Sequence, residues 1–156
     1  MTKSARHTLV LLTSLGVIFF FASDQILANF TLQLSAALVV ILIAIKHLNR
    51  RKPFHLLETV ISTMAVVLVT GATGGTSSPF FFLNHFLLFE ISYLLEPITC
   101  LSLSLGLMVF YLISGQTQGS AASLVPLISF IFMTPLAYLS GSLYKRLKKQ
   151  PKELIR

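Results

Sequence analysis

Three ionisable side chains stand inside long apolar segments or at their edges, and they are the first residues to consider for chemistry: Glu58, His85 and Glu90. A charged group is costly in apolar surroundings, so such a residue is expected to exchange a proton, bind a ligand or hydrogen-bond a neighbouring helix. Glu58 follows Lys52 and His55 closely, and pairing with a nearby base accounts for it. His85 and Glu90 are therefore the candidates for function.

Glu90 stands about eleven residues beyond Pro79, roughly 16 Å along a helix axis at about 1.5 Å per residue, near the middle of its apolar segment. We expect its carboxyl to face neighbouring helices, protonated and hydrogen-bonded to a hydroxyl or amide. It is then either a protonatable site for a signal or small ligand, or a hydrogen bond that locks the helices together. His85 lies about 140° away around the same helix, so the two side chains do not form a ligand pair and no metal site is predicted. Asn84 and Ser92 add polar atoms to this segment.

The sequence contains no Ser-His-Asp set, no phosphate-binding loop and no pair of carboxylates at catalytic spacing. The lone cysteine, Cys100, excludes an intramolecular disulfide and is best interpreted as a small buried apolar residue. We therefore predict that this chain is not an enzyme.

A second candidate site is the small and polar turn ahead of Glu90. Gly74 and Gly75 permit positive φ or close approach of a ligand, Ser78 can cap the following helix, and Pro79 suits its first position. Phe80 begins a run of three phenylalanines whose flat faces could hold a membrane-soluble ring, although a tight turn with an aromatic belt accounts for the same residues. The predicted ligand-binding residues are Gly74, Gly75, Ser78, Pro79, Phe80, His85 and Glu90.

The elements that position these residues are apolar helices. The chain has 156 residues, of which 54% are hydrophobic and 11% charged, and its mean hydropathy is +0.83, whereas soluble domains carry roughly 25% charged residues. Crossing a bilayer takes roughly 20 apolar residues. We predict an all-α polytopic bundle over residues 1–144, with six transmembrane helices at about 8–23, 30–45, 56–73, 79–95, 98–114 and 124–144.

The 12 Lys and Arg residues determine the predicted orientation. They occur before the first span, between the second and third, and in the basic tail 145–156, so six spans place all of them on one side. Basic loops are retained in the cytoplasm, so both termini are predicted to be cytoplasmic, with the basic loop and tail against anionic lipid. The net charge of +7 is divided between these clusters, which argues against a nucleic-acid partner.

The stretch Gly74, Gly75, Thr76, Ser77, Ser78, Pro79, Phe80 resembles a family signature. It is similar to the Gly-Gly-x-x-Asn-Pro-Phe motif in the membrane region of bacterial quinone-responsive redox sensor histidine kinases, with Ser78 in place of the Asn. The resemblance implies a six-helix input region in the bacterial cytoplasmic membrane, a quinone as ligand and a cytoplasmic kinase as partner. The phosphoacceptor histidine and ATP-binding domain of that family are not among these residues.

Three functions follow as hypotheses. The leading one is a membrane-embedded sensory input module of a two-component system, which passes a membrane or redox signal to a cytoplasmic kinase part or partner. The others are a small transporter or channel, and a structural subunit of a membrane complex. Ser102 with Gly106, and Ala137 with Gly141, permit close helix contacts within the bundle or in a homodimer. Pro151 is expected to end the helix that enters the tail.

Overall fold

The computed structural model describes residues 3–24, 27, 29–48, 55–114 and 121–153, and this part of the chain is helical, without strands. Its elements are α1 (Lys3–Ser23), α2 (Thr31–Leu48), α3 (His55–Ala72), a 3-10 helix (Gly75–Ser77), α4 (Leu83–Leu94), α5 (Pro97–Ile113) and α6 (Ala121–Glu153). The predicted spans leave a loop over 46–55 and another after 114. Residues 46–48 and 55 are helical instead, and residues 49–54 and 115–120 lie outside the described residues. The all-α prediction is confirmed.

Length and composition mark three stretches of the described residues as able to cross a membrane: Ser4–Ala22, His55–Ala72 and Leu124–Lys148. The apolar stretches Thr31–His47 and Pro97–Ile113 are shorter. The 12 residues of α4 extend only about 18 Å at about 1.5 Å per residue. Apolar helices of this kind indicate a membrane protein, because they present hydrocarbon on most of their surface.

Helix α4 is the centre of the bundle. It packs against α3, α5 and α6, whereas α1 packs against α3 and α5, and α2 lies mainly against α3. The most deeply buried apolar side chains accordingly come from α4 and the helices around it, among them Leu88, Ile91, Leu103, Leu107 and Phe130. Most faces of α4 therefore meet a neighbouring helix, whereas Phe86 and Tyr93 are exposed.

Cross-helix contacts give the relative directions of the helices. The hydrogen-bonded pairs between α3 and α4 become closer in sequence toward the turn that joins the two helices. The separation is 28 residues for Ser62 with Glu90, 14 for Thr70 with Asn84, and 5 within the turn, so the two helices form an antiparallel hairpin. Between α4 and α6 the separations stay near 44, 45 and 50, which requires parallel helices. Helix α4 thus runs antiparallel to α3, and α6 runs parallel beside α4.

Helix α6 contains three prolines and continues through all of them. Pro126, Pro135 and Pro151 each lie inside Ala121–Glu153, so the expectation that Pro151 ends the helix is wrong. A proline removes only its own N–H donor, and the residues on either side can keep their hydrogen bonds if the helix bends to relieve the ring clash. The start of the basic tail is therefore a helical extension of the last apolar segment.

Candidate functional site

The polar side chains of α4 form the candidate site, and together they contact α3, α5 and α6. Glu90 Oε2 accepts a hydrogen bond from Ser62 Oγ of α3 at 2.9 Å. Ser62 is buried, and Glu90 is partly buried. This is the hydroxyl partner that the sequence led us to expect, and it joins α3 to α4 roughly midway along both helices. Glu90 has the geometry of a helix-to-helix hydrogen bond.

Asn84 is the most connected of these residues. It is completely buried, and its Nδ2 donates to the carbonyl oxygen of Phe81 at 3.0 Å and to Thr70 Oγ1 of α3 at 3.4 Å. Its Oδ1 accepts from the hydroxyl of Tyr111, on α5, at 3.3 Å. Thr70 and Tyr111 are also fully buried. One amide therefore joins three helices in a region from which solvent is excluded.

His85 belongs to the opposite side of α4. Its Nε2 lies 2.6 Å from Ser129 Oγ of α6. The imidazole packs 5.2 Å from the ring of Phe130 and 5.8 Å from that of Phe81, measured between centroids. Phe81 in turn contacts Tyr111 at 5.4 Å. His85 is thus one wall of an aromatic cluster between α4, α5 and α6.

Two further contacts join α4 to α6 on the C-terminal side of His85. Ser92 Oγ donates to the carbonyl oxygen of Ala137 at 2.6 Å, and Lys145 Nζ donates to the carbonyl oxygen of Leu95. A Cβ placed on Gly141 would lie 2.6 Å from the carbonyl oxygen of Ser92, so only glycine permits this approach. The small-residue face of Ala137 and Gly141 is consequently used inside the bundle, against α4.

The turn before α4 is closed upon itself. Gly74 has φ 118° and Gly75 has φ 60°, values that favour glycine. Ser78 Oγ lies 2.5 Å from Thr73 Oγ1 and accepts from the amide of Phe80 at 3.0 Å. It therefore caps the turn and not α4, whose N-cap Phe82 makes no side-chain hydrogen bond, so the expectation that Ser78 caps the helix is wrong. The next amides bond three residues back, and for this reason α4 begins at Leu83 rather than at Pro79.

The structure does not bring the predicted site residues to one point. His85 bonds to α6 and Glu90 to α3, as their angular separation on the helix implied. The turn residues do not fit a quinone. The hydroxyl of Ser78 is hydrogen-bonded within the turn, and the ring of Phe80 is exposed and does not form the wall of a pocket. A ligand site at these residues stays a prediction, and the contacts of the turn do not require a quinone.

From the sequence, Asn84 was named only as an additional polar residue, and Thr70 and Tyr111 were not identified as its partners. Glu90 stood out because it is ionisable, whereas a neutral amide or hydroxyl in an apolar segment is unremarkable by composition. The only indication in the sequence was a polar residue near the start of an apolar segment. The sequence does not show that this residue is buried among polar partners. The expected pairing of Glu58 is seen with His55, whose Nδ1 lies 3.9 Å from Glu58 Oε2.

The other candidate chemistry is sparse. Within the described ranges, no group of three or more His, Cys, Asp and Glu side chains could hold a metal ion. Cys100 is completely buried. A cavity of about 400 Å³ lies among the ends of α1, α3 and α5 and the start of α2, and none of the predicted site residues lines it.

Comparison with known proteins yields no relative. No protein-family model, no curated protein and no solved structure matches the chain. The function must therefore be argued from the residues and their geometry.

Proposed function

We propose that this chain is a membrane-embedded sensory input module of a two-component signalling system, passing a membrane or redox signal to a cytoplasmic kinase part or partner. In this proposal all six helices cross the bacterial cytoplasmic membrane and both termini are cytoplasmic. The motif Gly74 to Phe80, which resembles that of sensor kinase input regions, motivates it.

The antiparallel course of α3 and α4, and the parallel course of α4 and α6, agree with six crossings. Three segments are long enough to span by themselves, and α4 gains length from the turn over Ser78–Phe82 that precedes it. With this arrangement every Lys and Arg of the sequence lies at the cytoplasmic end, where anionic lipid attracts basic side chains. An odd number of crossings, such as five, would place the basic tail on the outer side.

The observation that carries the signalling role is the seam between α4 and α6. Three cross-helix hydrogen bonds join these parallel helices, from His85 at one end to the carbonyl of Leu95 at the other. Helix α6 then continues as a basic helix to Glu153. A displacement of α4 must therefore move α6 or break these bonds.

Signal transmission would use this seam as follows. A ligand or redox change that acts on the Gly74–Phe80 turn, or on α4, shifts α4 relative to α3. Helix shifts of about 1–2 Å are typical of switching proteins, and the hydrogen bonds to α6 would carry such a shift along the helix. The helical extension beyond Tyr144 presents the change to the kinase.

The test is site-specific crosslinking in cells. A photoreactive amino acid replaces Leu147, which is 64% exposed and stands between the basic residues Arg146 and Lys148 of α6, and the crosslinked protein is identified by mass spectrometry. Capture of a histidine kinase, whose phosphorylation changes when Ser92→Ala removes the bond to Ala137, would support the proposal. The same amino acid at Leu139, exposed within the apolar part of α6, is the control and should capture no kinase.

A transporter and a structural subunit are the other outcomes of that experiment. Capture of transport components, together with solute flux that is lost in Glu90→Gln, would replace the sensor by a transporter. Capture of assembly partners without any effect of Ser92→Ala on phosphorylation would indicate a structural subunit.

A further inference from the structure

The cavity at the outer helix ends is separate from the polar contacts of α4. It measures about 400 Å³, within the range of about 300–1,000 Å³ that is usual for small-molecule sites. Residues of α1, α3 and α5, together with Asn29 and the start of α2, line this partly open cavity, and α4 contributes none of its lining.

The lining changes in character from floor to mouth. The floor is made by Ile18, Val67, Leu68 and Phe110, which are all buried and apolar. At the mouth stands Asn29, whose exposed side chain carries an amide that can both donate and accept hydrogen bonds. An occupant would therefore place its apolar part inward and a hydrogen-bonding group outward.

Among the described residues that line this cavity, none carries a charged side chain. An ion inside it would lose hydration without gaining a partner, which costs several kcal/mol. The cavity chemistry therefore selects an uncharged molecule.

Small residues create the space. Ala22 of α1 and Gly71 and Ala72 of α3 line the cavity, and larger side chains there would reduce its volume. Protein interiors are normally packed without such voids, and apolar groups that face empty space forfeit their dispersion contacts. A molecule that fills the space recovers those contacts, so binding is favourable.

We propose that this cavity binds a freely diffusing neutral amphiphile, a molecule with an apolar body and one hydroxyl or carbonyl group, which inserts its body between α1, α3 and α5 and presents its polar group to Asn29. This site does not depend on the signalling role proposed above.

The test uses octanol that carries a diazirine as the probe, with the full chain in lipid nanodiscs. After illumination, labelled residues are located by peptide mass spectrometry. We expect saturable labelling of Val67, Leu68 or Phe110, reduced at least tenfold by excess unlabelled octanol and not by octanoate, which has the same chain length and a negative charge. Equal competition by octanoate would overturn the neutral class.

Two variants from different helices fill the cavity. Gly71→Leu adds a side chain where the glycine does not have positive φ, and Ala22→Phe adds a ring from α1. Each should abolish competed labelling of the floor, whereas Ala37→Leu, at an exposed position on α2 outside the cavity, should leave it unchanged.

Thermal unfolding followed by circular dichroism shows which variants are folded. Competed labelling that persists in a folded filled variant would overturn the site. If neither filled variant folds, the wild-type competition decides: labelling confined to the floor and competed by octanol alone supports the site. Uncompeted labelling spread over lipid-facing residues such as Val40 and Ile43 refutes it.

Discussion

At the scale of single residues, the neutral amide of Asn84 matters more to the packing than the ionisable groups do. Its buried donors and acceptor join α3, α4 and α5 through Thr70, the carbonyl of Phe81 and Tyr111. Glu90 makes one such contact, to Ser62. In an apolar environment a polar side chain without a partner is costly, so the residue with most partners constrains helix rotation most.

Asn84→Ala should lower the free energy of unfolding by about 1–3 kcal/mol, because it removes the buried acceptor of the Tyr111 hydroxyl. The measurement is reversible unfolding in mixed micelles. Tyr111→Phe should lower the free energy of unfolding less in the Asn84→Ala background than in the native protein, because either substitution alone already removes the hydrogen bond between these two side chains. Equal costs in the two backgrounds would mean that the pair is not coupled.

Substitutions of Glu90 test whether its carboxyl stabilises the protein through a hydrogen bond or through its charge. Glu90→Gln retains an oxygen acceptor for Ser62 and should keep stability within about 0.5 kcal/mol, while Glu90→Ala should cost about 0.6–2 kcal/mol. Both are measured by the same micelle unfolding. A loss for Glu90→Gln as large as that for Glu90→Ala would show that an ionised carboxylate is needed.

At the scale of elements, the seam between α4 and α6 depends on close approach. Gly141 faces the carbonyl of Ser92, and the bond from Ser92 to Ala137 lies beside it. The other small-residue face is also internal, since Gly106 faces Leu12 and Leu15 of α1. Neither face therefore remains available for the homodimer that the sequence allowed.

Gly141→Ala should separate α4 from α6 and cost about 1–3 kcal/mol, because the new methyl would overlap Ser92. Gly16→Ala is the matched control: a Cβ there meets no atom within 4 Å, and alanine favours the helix by up to about 1 kcal/mol. Micelle unfolding of both variants provides the comparison. A neutral Gly141→Ala would mean that this seam is loosely packed.

The turn before α4 provides a second element-scale prediction. Gly74→Ala places a methyl group on a residue with φ 118° and should destabilise the protein by about 1 kcal/mol or more, although its Cβ would have ordinary contacts at 3.7 Å. The measured loss would then come from backbone strain rather than from overlap. An unchanged unfolding free energy would indicate that the turn can relax at no cost.

At the scale of the whole molecule, the proposed topology predicts which residues water-soluble reagents reach from each side. Ser77 is exposed at the outer turn and Arg146 at the start of the basic helix. In intact cells, a membrane-impermeant maleimide should label Ser77→Cys and not Arg146→Cys, and inside-out vesicles should give the reverse. Native Cys100 is completely buried and serves as the unreactive background. Labelling of both variants from one side would contradict six crossings.

The sequence by itself determined that the described chain is helical and approximately where most of its helices lie, because run length and composition decide these properties segment by segment. It also indicated that Glu90 would meet a hydroxyl on another helix and that His85 would face elsewhere, since helical periodicity sets angles around one axis.

Only the tertiary structure determines which neighbour each of these side chains contacts. It also places Asn84 between three helices and leaves a cavity lined by residues from α1, α2, α3 and α5. Helices that are apolar on nearly every side carry little information about which face is turned inward. Their rotation is selected by matching polar partners and small residues across helices, such as Ser62 with Glu90 and Gly141 with Ser92, and that match exists only once the helices are assembled.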